Sequence, residues 1–154
     1  MSRFGRVAWN VAVTLPLGFI FHDHIACIVP SGIKNAGSTL DILNENETVL
    51  CLRKSAKSSE AVVFVNPFDP EERCVGRVTG VPGDFFMALD SEYGLPSMRT
   101  LQPGQIWVED DSDIDTHAER GGVDSRDFGP LPSVLVQGHP FAVIWPPFSC
   151  RLLK

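Results

Sequence analysis

The sequence predicts a mainly β domain of short antiparallel strands, preceded by an N-terminal hydrophobic helix, and three observations lead there. From Thr48 onward the chain falls into short runs rich in branched and aromatic residues, each bounded by Gly, Pro, Asn or Asp. The 13 Gly and 12 Pro are spread along the chain with no heptad and no internal repeat, which speaks against a helical bundle. Near the N-terminus, by contrast, Val7 to Phe21 carries no charge at all. The 154 residues divide into an anchor-like segment over 1–24 and one β domain over 25–154, long enough to bury a core of its own.

Composition excludes several classes. The net charge of −6, with no cluster of Lys or Arg, gives no electrostatic footing for a nucleic-acid backbone. Cys27, Cys51, Cys74 and Cys150 form no C-x-x-C pair, and His22, His24, His117 and His139 form no H-E-x-x-H motif, so neither a metal nor another cofactor is expected. Apolar neighbours mark most of these cysteines as buried free thiols, two disulfides being the alternative that an even count leaves open.

The first element begins after Arg3 and Arg6. Val7 to Phe21 is shorter than the roughly 20 apolar residues of a full span, contains Asn10 and Pro16, and stops at His22 and Asp23. Three readings stay open: a membrane anchor or interfacial helix, a helix buried in a partner's groove, or a removed targeting segment. Asp23 and His24 stand where a cleavage site would need small residues. The strands follow at Thr48–Leu52, Ala61–Val65, Val75–Val81, Phe85–Leu89, Gln105–Glu109, Val134–Gln137 and Phe141–Trp145. Proline's preset φ and glycine's tolerance of positive φ explain the turns at Asn66 to Pro70, Val81 to Asp84, Pro103-Gly104 and Gly129 to Pro132. Asp110 to Gly122 is acidic and nearly devoid of apolar residues, hence a solvated loop, and it lacks the spacing of a calcium loop.

Several stretches, in order, resemble the type I signal peptidase family, and within it the second subunit of the mitochondrial inner membrane peptidase. Arg77-Val-Thr-Gly-Val-Pro-Gly-Asp84 is similar to the family's K-R-V-x-G-x-P-G-D box, and Gln105 to Glu109 to the strand before its final box. Val123-Asp-Ser-Arg-Asp-Phe-Gly-Pro130 resembles the D-S-R-x-F-G-P box, and Ile144-Trp-Pro-Pro147 a W-P-P tail. Asp23-His-Ile-Ala-Cys27 precedes them, so the likeness covers most of the chain. It implies a membrane helix leading into a β-rich catalytic domain that faces the intermembrane space, at the mitochondrial inner membrane.

The resemblance also implies a reaction, in which a serine hydroxyl attacks a peptide carbonyl while a buried neutral lysine takes its proton. The lysine's place, immediately before Arg77, is held by Gly76, which has no side chain. Arg77 stays protonated and cannot serve as a base. The orienting serine's place, two positions before Asp124, is Gly122. For the nucleophile, the ungapped register over Gly32 to Leu40 puts Asn35 at the serine position, whereas a shift of three residues puts Ser38 there. Lys34, Lys54 and Lys57 read as solvated charges, and His139 does not occupy the required strand position. His117 is the remaining candidate for a relay with Ser38. The box residues Arg77, Pro82, Gly83, Asp84, Asp124, Ser125, Arg126 and Gly129 are expected to be structural, with Asp124 and Arg126 pairing across a strand.

The expected function is therefore that of a catalytically degenerate peptidase-family protein. It would act by binding, as a structural subunit or assembly factor of a mitochondrial complex such as a respiratory assembly or the mitochondrial ribosome, through β-augmentation at the former substrate edge. Its partners would be other protein subunits, one of them an active sister peptidase, with a membrane or partner groove for Val7 to Phe21. The competing expectation is an active inner membrane serine endopeptidase that processes sorting signals.

Overall fold

A computed structural model describes residues 25–34, 44, 46–89, 96–111 and 123–153, so the hydrophobic segment over 1–24 lies outside the described residues. Among the described residues no helix is long and apolar enough to cross a membrane.

The strands are β1 (Ala26–Val29), β2 (Ile33–Lys34), β3 (Thr48–Leu52), β4 (Ala61–Val65), β5 (Arg73–Gly80), β6 (Phe85–Leu89), β7 (Pro96–Thr100), β8 (Gln105–Glu109), β9 (Leu131–Pro132), β10 (Val136–Trp145) and β11 (Arg151–Leu152). A single helical turn, α1 (Ser125–Phe128), precedes β9. The main sheet runs β1-β3-β10-β4-β5-β8-β9, with β11 on β10 and β2 on β5, while β6 and β7 form a separate two-stranded ribbon. Pairing is antiparallel as expected, except that β2 runs parallel to β5, Ile33 facing Arg73 and Lys34 facing Cys74.

The central strands β4 and β5 are buried on both faces. Val63 and Val75 enter one core with Cys27, Val29, Ile33, Val49, Cys51 and Val143. Val62, Phe64, Cys74 and Val78 enter the other with Ile106, Val108 and Leu131. That explains the unbroken apolar run of β4, because a strand with no solvent face has no reason to alternate. β3, paired on both sides by β1 and β10, does alternate: it buries Val49 and Cys51 and turns Thr48, Leu50 and Leu52 outward.

Two expectations are corrected. Val134–Gln137 and Phe141–Trp145 belong largely to one ten-residue strand, β10, which passes Gly138 and Pro140 by register shifts against β4 and β3. The acidic stretch begins buried at Asp110, whereas Asp111 is exposed and ion-paired with Arg77.

Candidate functional site

β5 is the strand on which the family's base would stand. Gly76 faces Val62 of β4, and its neighbour Arg77 faces Ala61 of β4 and Glu109 of β8. A Cβ added to Gly76 would overlap Val108 Cγ1, with Glu109 O at 3.2 Å and Phe64 Cε1 at 3.5 Å. The obstruction is a stiff β-branched side chain, a backbone carbonyl and an aromatic ring, none of which swings away cheaply. The direction a lysine would take from this position is thus filled by the second core. β2 ends at Lys34 beside Cys74, two positions before Gly76, so the segment carrying the nucleophile candidates departs next to this strand. Asn35, Ser38, His117 and Gly122 themselves lie outside the described residues.

Arg77 points to the opposite face from Gly76, as successive strand residues do. Its Nε donates to both carboxylate oxygens of Asp111 at 3.0 Å, Nη2 donates to Oδ2 at 2.7 Å, and Nη1 reaches Ser59 O at 3.2 Å. The Asp111 carboxylate holds the guanidinium more firmly protonated still. Arg77 therefore fastens β5 to the start of the acidic stretch and stays protonated, unable to accept a proton as a base.

The D-S-R box works on the other side of β8. β9 pairs with Gln105 and Ile106, and among the described residues the amides further along β8 have no strand partner on that edge. Side chains take the strand's place: Ser125 Oγ accepts from Val108 N at 2.9 Å, and Asp124 Oδ2 accepts from Asp110 N at 3.1 Å. Asp124 is 0% exposed and also caps α1, accepting from Arg126 N at 2.8 Å while its own amide donates to Asp127 Oδ2 at 3.2 Å. Arg126 returns to the same carboxylate, Nε at 2.8 Å and Nη2 at 2.6 Å. The expected Asp124–Arg126 pair thus exists, but within one helical turn rather than across a strand. Gly129 ends α1 at φ 80, its amide donating to Ser125 O at 2.9 Å. Phe128 meets Phe64 edge to face, ring centres 6.0 Å apart, and Val123 packs on the same core.

Pro82, Gly83 and Asp84 form the turn from β5 into the ribbon. Gly83 stands at φ 100, Asp84 Oδ2 accepts from Val81 N at 2.8 Å, and Asp84 N donates to Val81 O at 3.0 Å.

A polar cluster that the sequence did not suggest lies on the Arg77 side of the sheet. Buried His139 holds Nδ1 3.4 Å from Glu60 Oε2, and Glu60 also takes Lys54 Nζ at 2.7 Å. Burial, ahead of the nearby Lys54 charge, lowers the His139 pKa and favours neutral imidazole. The sheet separates this imidazole from Gly76, since His139 lines the same pocket as Arg77. Lys54 and Lys57, read as solvated charges, are both exposed, Lys54 within a surface ion pair to Glu60. Among the described residues no group of three metal-ligating side chains comes together.

No family model matches the chain. A zebrafish (Danio rerio) mitochondrial inner membrane protease subunit 2 is 33% identical over 145 residues, covering 94% of this chain and 73% of the relative. The mouse (Mus musculus) subunit 2 is 25% identical over 150 residues, 92% of this chain and 80% of the relative. The baker's yeast (Saccharomyces cerevisiae) subunit 2 is 33% identical over 89 residues, 57% of this chain and 45% of the relative. In that last match, and in others to subunit 1 proteins, the chain spans about half the length of the relative.

Proposed function

The chain belongs to the mitochondrial inner membrane protease subunit family, and from that membership we propose that it is a subunit of a peptidase complex that does not itself cleave the peptide bond. It is associated with the mitochondrial inner membrane. Its partner in this reading is a sister subunit that retains the serine and the lysine. The names of the relatives, all protease subunits, narrow the wider expectation of a respiratory-assembly or ribosomal role to a peptidase complex.

The observation that carries the reading is the packing at Gly76. A hydroxyl is a poor nucleophile near neutral pH without a group to accept its proton. Position 76 offers no such group, and Val108, Glu109 and Phe64 take up the space one would need. The boxes that remain, Pro82 to Asp84 and Asp124 to Arg126, form turns, caps and edge closures that keep the sheet in shape without any proton transfer. What they preserve is a scaffold able to meet a partner.

The test is cleavage of a presequence-bearing substrate by the purified chain, run beside Ser38→Ala. Equal background rates in the two are expected. A rate abolished by Ser38→Ala would overturn the proposal. Purification from gently solubilised mitochondria is expected to recover a Ser/Lys homologue at equal stoichiometry.

A second reading is an active serine endopeptidase, favoured by the protease names of the relatives. It requires Ser38 as nucleophile and a base away from β5, for which His117 is the candidate. Loss of activity in both Ser38→Ala and His117→Ala would establish it.

A further inference from the structure

Cys27 on β1 and Cys51 on β3 stand directly opposite each other in the antiparallel ladder. In the same register Arg53 N donates to Ile25 O at 2.9 Å, and hydrogen-bonded pairs recur every second residue, which makes 27 and 51 another such pair. Residues opposed in this way have Cα atoms about 5.5 Å apart, inside the range that a disulfide spans. Both side chains enter the first core. Cys27 Sγ donates to Gln137 O at 3.4 Å, and neither sulfur is in a disulfide.

We propose that Cys27 and Cys51 are a site of reversible intramolecular disulfide formation, with a low-molecular-weight disulfide as the oxidant. Cys27 is the entering thiol. It is 6% exposed against 0% for Cys51, and it lies on the terminal strand of the sheet, where opening a single ladder uncovers it. Burial raises the Cys27 thiol, with the nearby Arg53 charge opposing it in part, and pushes the Cys51 thiol up to about 12. The Cys27 thiolate attacks one sulfur of the external disulfide, forming a mixed disulfide and releasing one thiolate, which takes up the Cys27 proton. Cys51 then loses its proton and attacks the Cys27 sulfur, releasing the second external thiol. The protein gives up two electrons and two protons, and the external disulfide is reduced to two thiols.

The closed loop encloses residues 28–50, the stretch that includes both nucleophile candidates, Asn35 and Ser38. Oxidation would therefore fasten the two ends of that stretch to one point of the sheet, whichever reading of the chemistry holds.

The experiment uses the full chain carrying Cys150→Ser, incubated with oxidised glutathione, alkylated under denaturing conditions and weighed intact. The expected product has lost two hydrogens, leaves one alkylatable thiol and yields a Cys27–Cys51 linked peptide on digestion. Its unfolding midpoint is expected to rise by roughly 5–10 °C over the reduced form of the same chain. A glutathione adduct that persists on Cys27, a linkage to Cys74, or three thiols still alkylatable after incubation up to the unfolding midpoint would each overturn the proposal. Cys51→Ala provides a second check, because there the glutathione adduct must persist and the rise must vanish. The comparison of oxidised with reduced chain stands without that variant.

Discussion

At the scale of single residues, Gly76 packs so closely that a Cβ there would overlap the second core. Introducing a side chain there is expected to cost about 1–3 kcal/mol for Gly76→Ala, by overpacking against Val108 and Phe64. Gly76→Lys is expected to cost at least as much and to confer no peptide hydrolysis; denaturant titration and a cleavage assay check both. The D-S-R box gives a complementary expectation. Asp124→Ala leaves Arg126 and two amides without their acceptor and should destabilise by about 3–5 kcal/mol. Ser125→Ala should cost about 1–3 kcal/mol by orphaning Val108 N. The assignment of position 76 rests on the sequence alone, where the residues after it match the family box without a gap. What fills the space above Gly76 was not legible there, since Val108 and Phe64 come from the flanking strands β8 and β4 and only the pairing register brings them to it.

At the scale of elements, β3, β4, β6 and β8 were readable to the residue, since each is a branched or aromatic run between strong turn signals. β10 was read as two pieces because Gly138 and Pro140 look like breakers; register shifts absorb them instead. β2, at two residues, is too short for any periodic signal, and β7, Pro96-Ser-Met-Arg-Thr100, carries none. The short β11 depends on a contact invisible in local sequence. Arg151 Nη1 and Nη2 reach the Glu47 carboxylate at 2.7 and 2.6 Å, tying it to the approach to β3. Arg151's hydrogen bonds hold buried Glu47 down at about 2, from an ordinary 4.5. Because the folded value is depressed, the pair's stabilisation is present in full above about 4.5 and is lost as pH falls towards 2. Unfolding free energy measured across that window should fall by about 1–3 kcal/mol more in the wild type than in Glu47→Gln.

At the scale of the whole molecule, β4 and β5 serve both cores, so neither core can be lost alone. Truncations on opposite faces of one strand, Val63→Ala in the first core and Val62→Ala in the second, should each move a single cooperative transition, with tryptophan fluorescence and far-ultraviolet circular dichroism coinciding. Separate transitions would mean the two cores fold independently. Burial of His139 as a neutral imidazole acts at milder acidity: its folded pKa lies below the ordinary 6.5, so protonation favours unfolding as pH drops beneath that value. His139→Gln should flatten that part of the stability profile.

The substitution of side chains for a missing strand along β8 reaches beyond stability. In this chain the acid, the hydroxyl and the guanidinium of the D-S-R box are consumed in closing a sheet border, work that continues whether or not any bond is ever hydrolysed. A fingerprint of that sort certifies architecture, and a proteome survey that counts it as proof of enzymatic competence would enrol bystanders alongside workers.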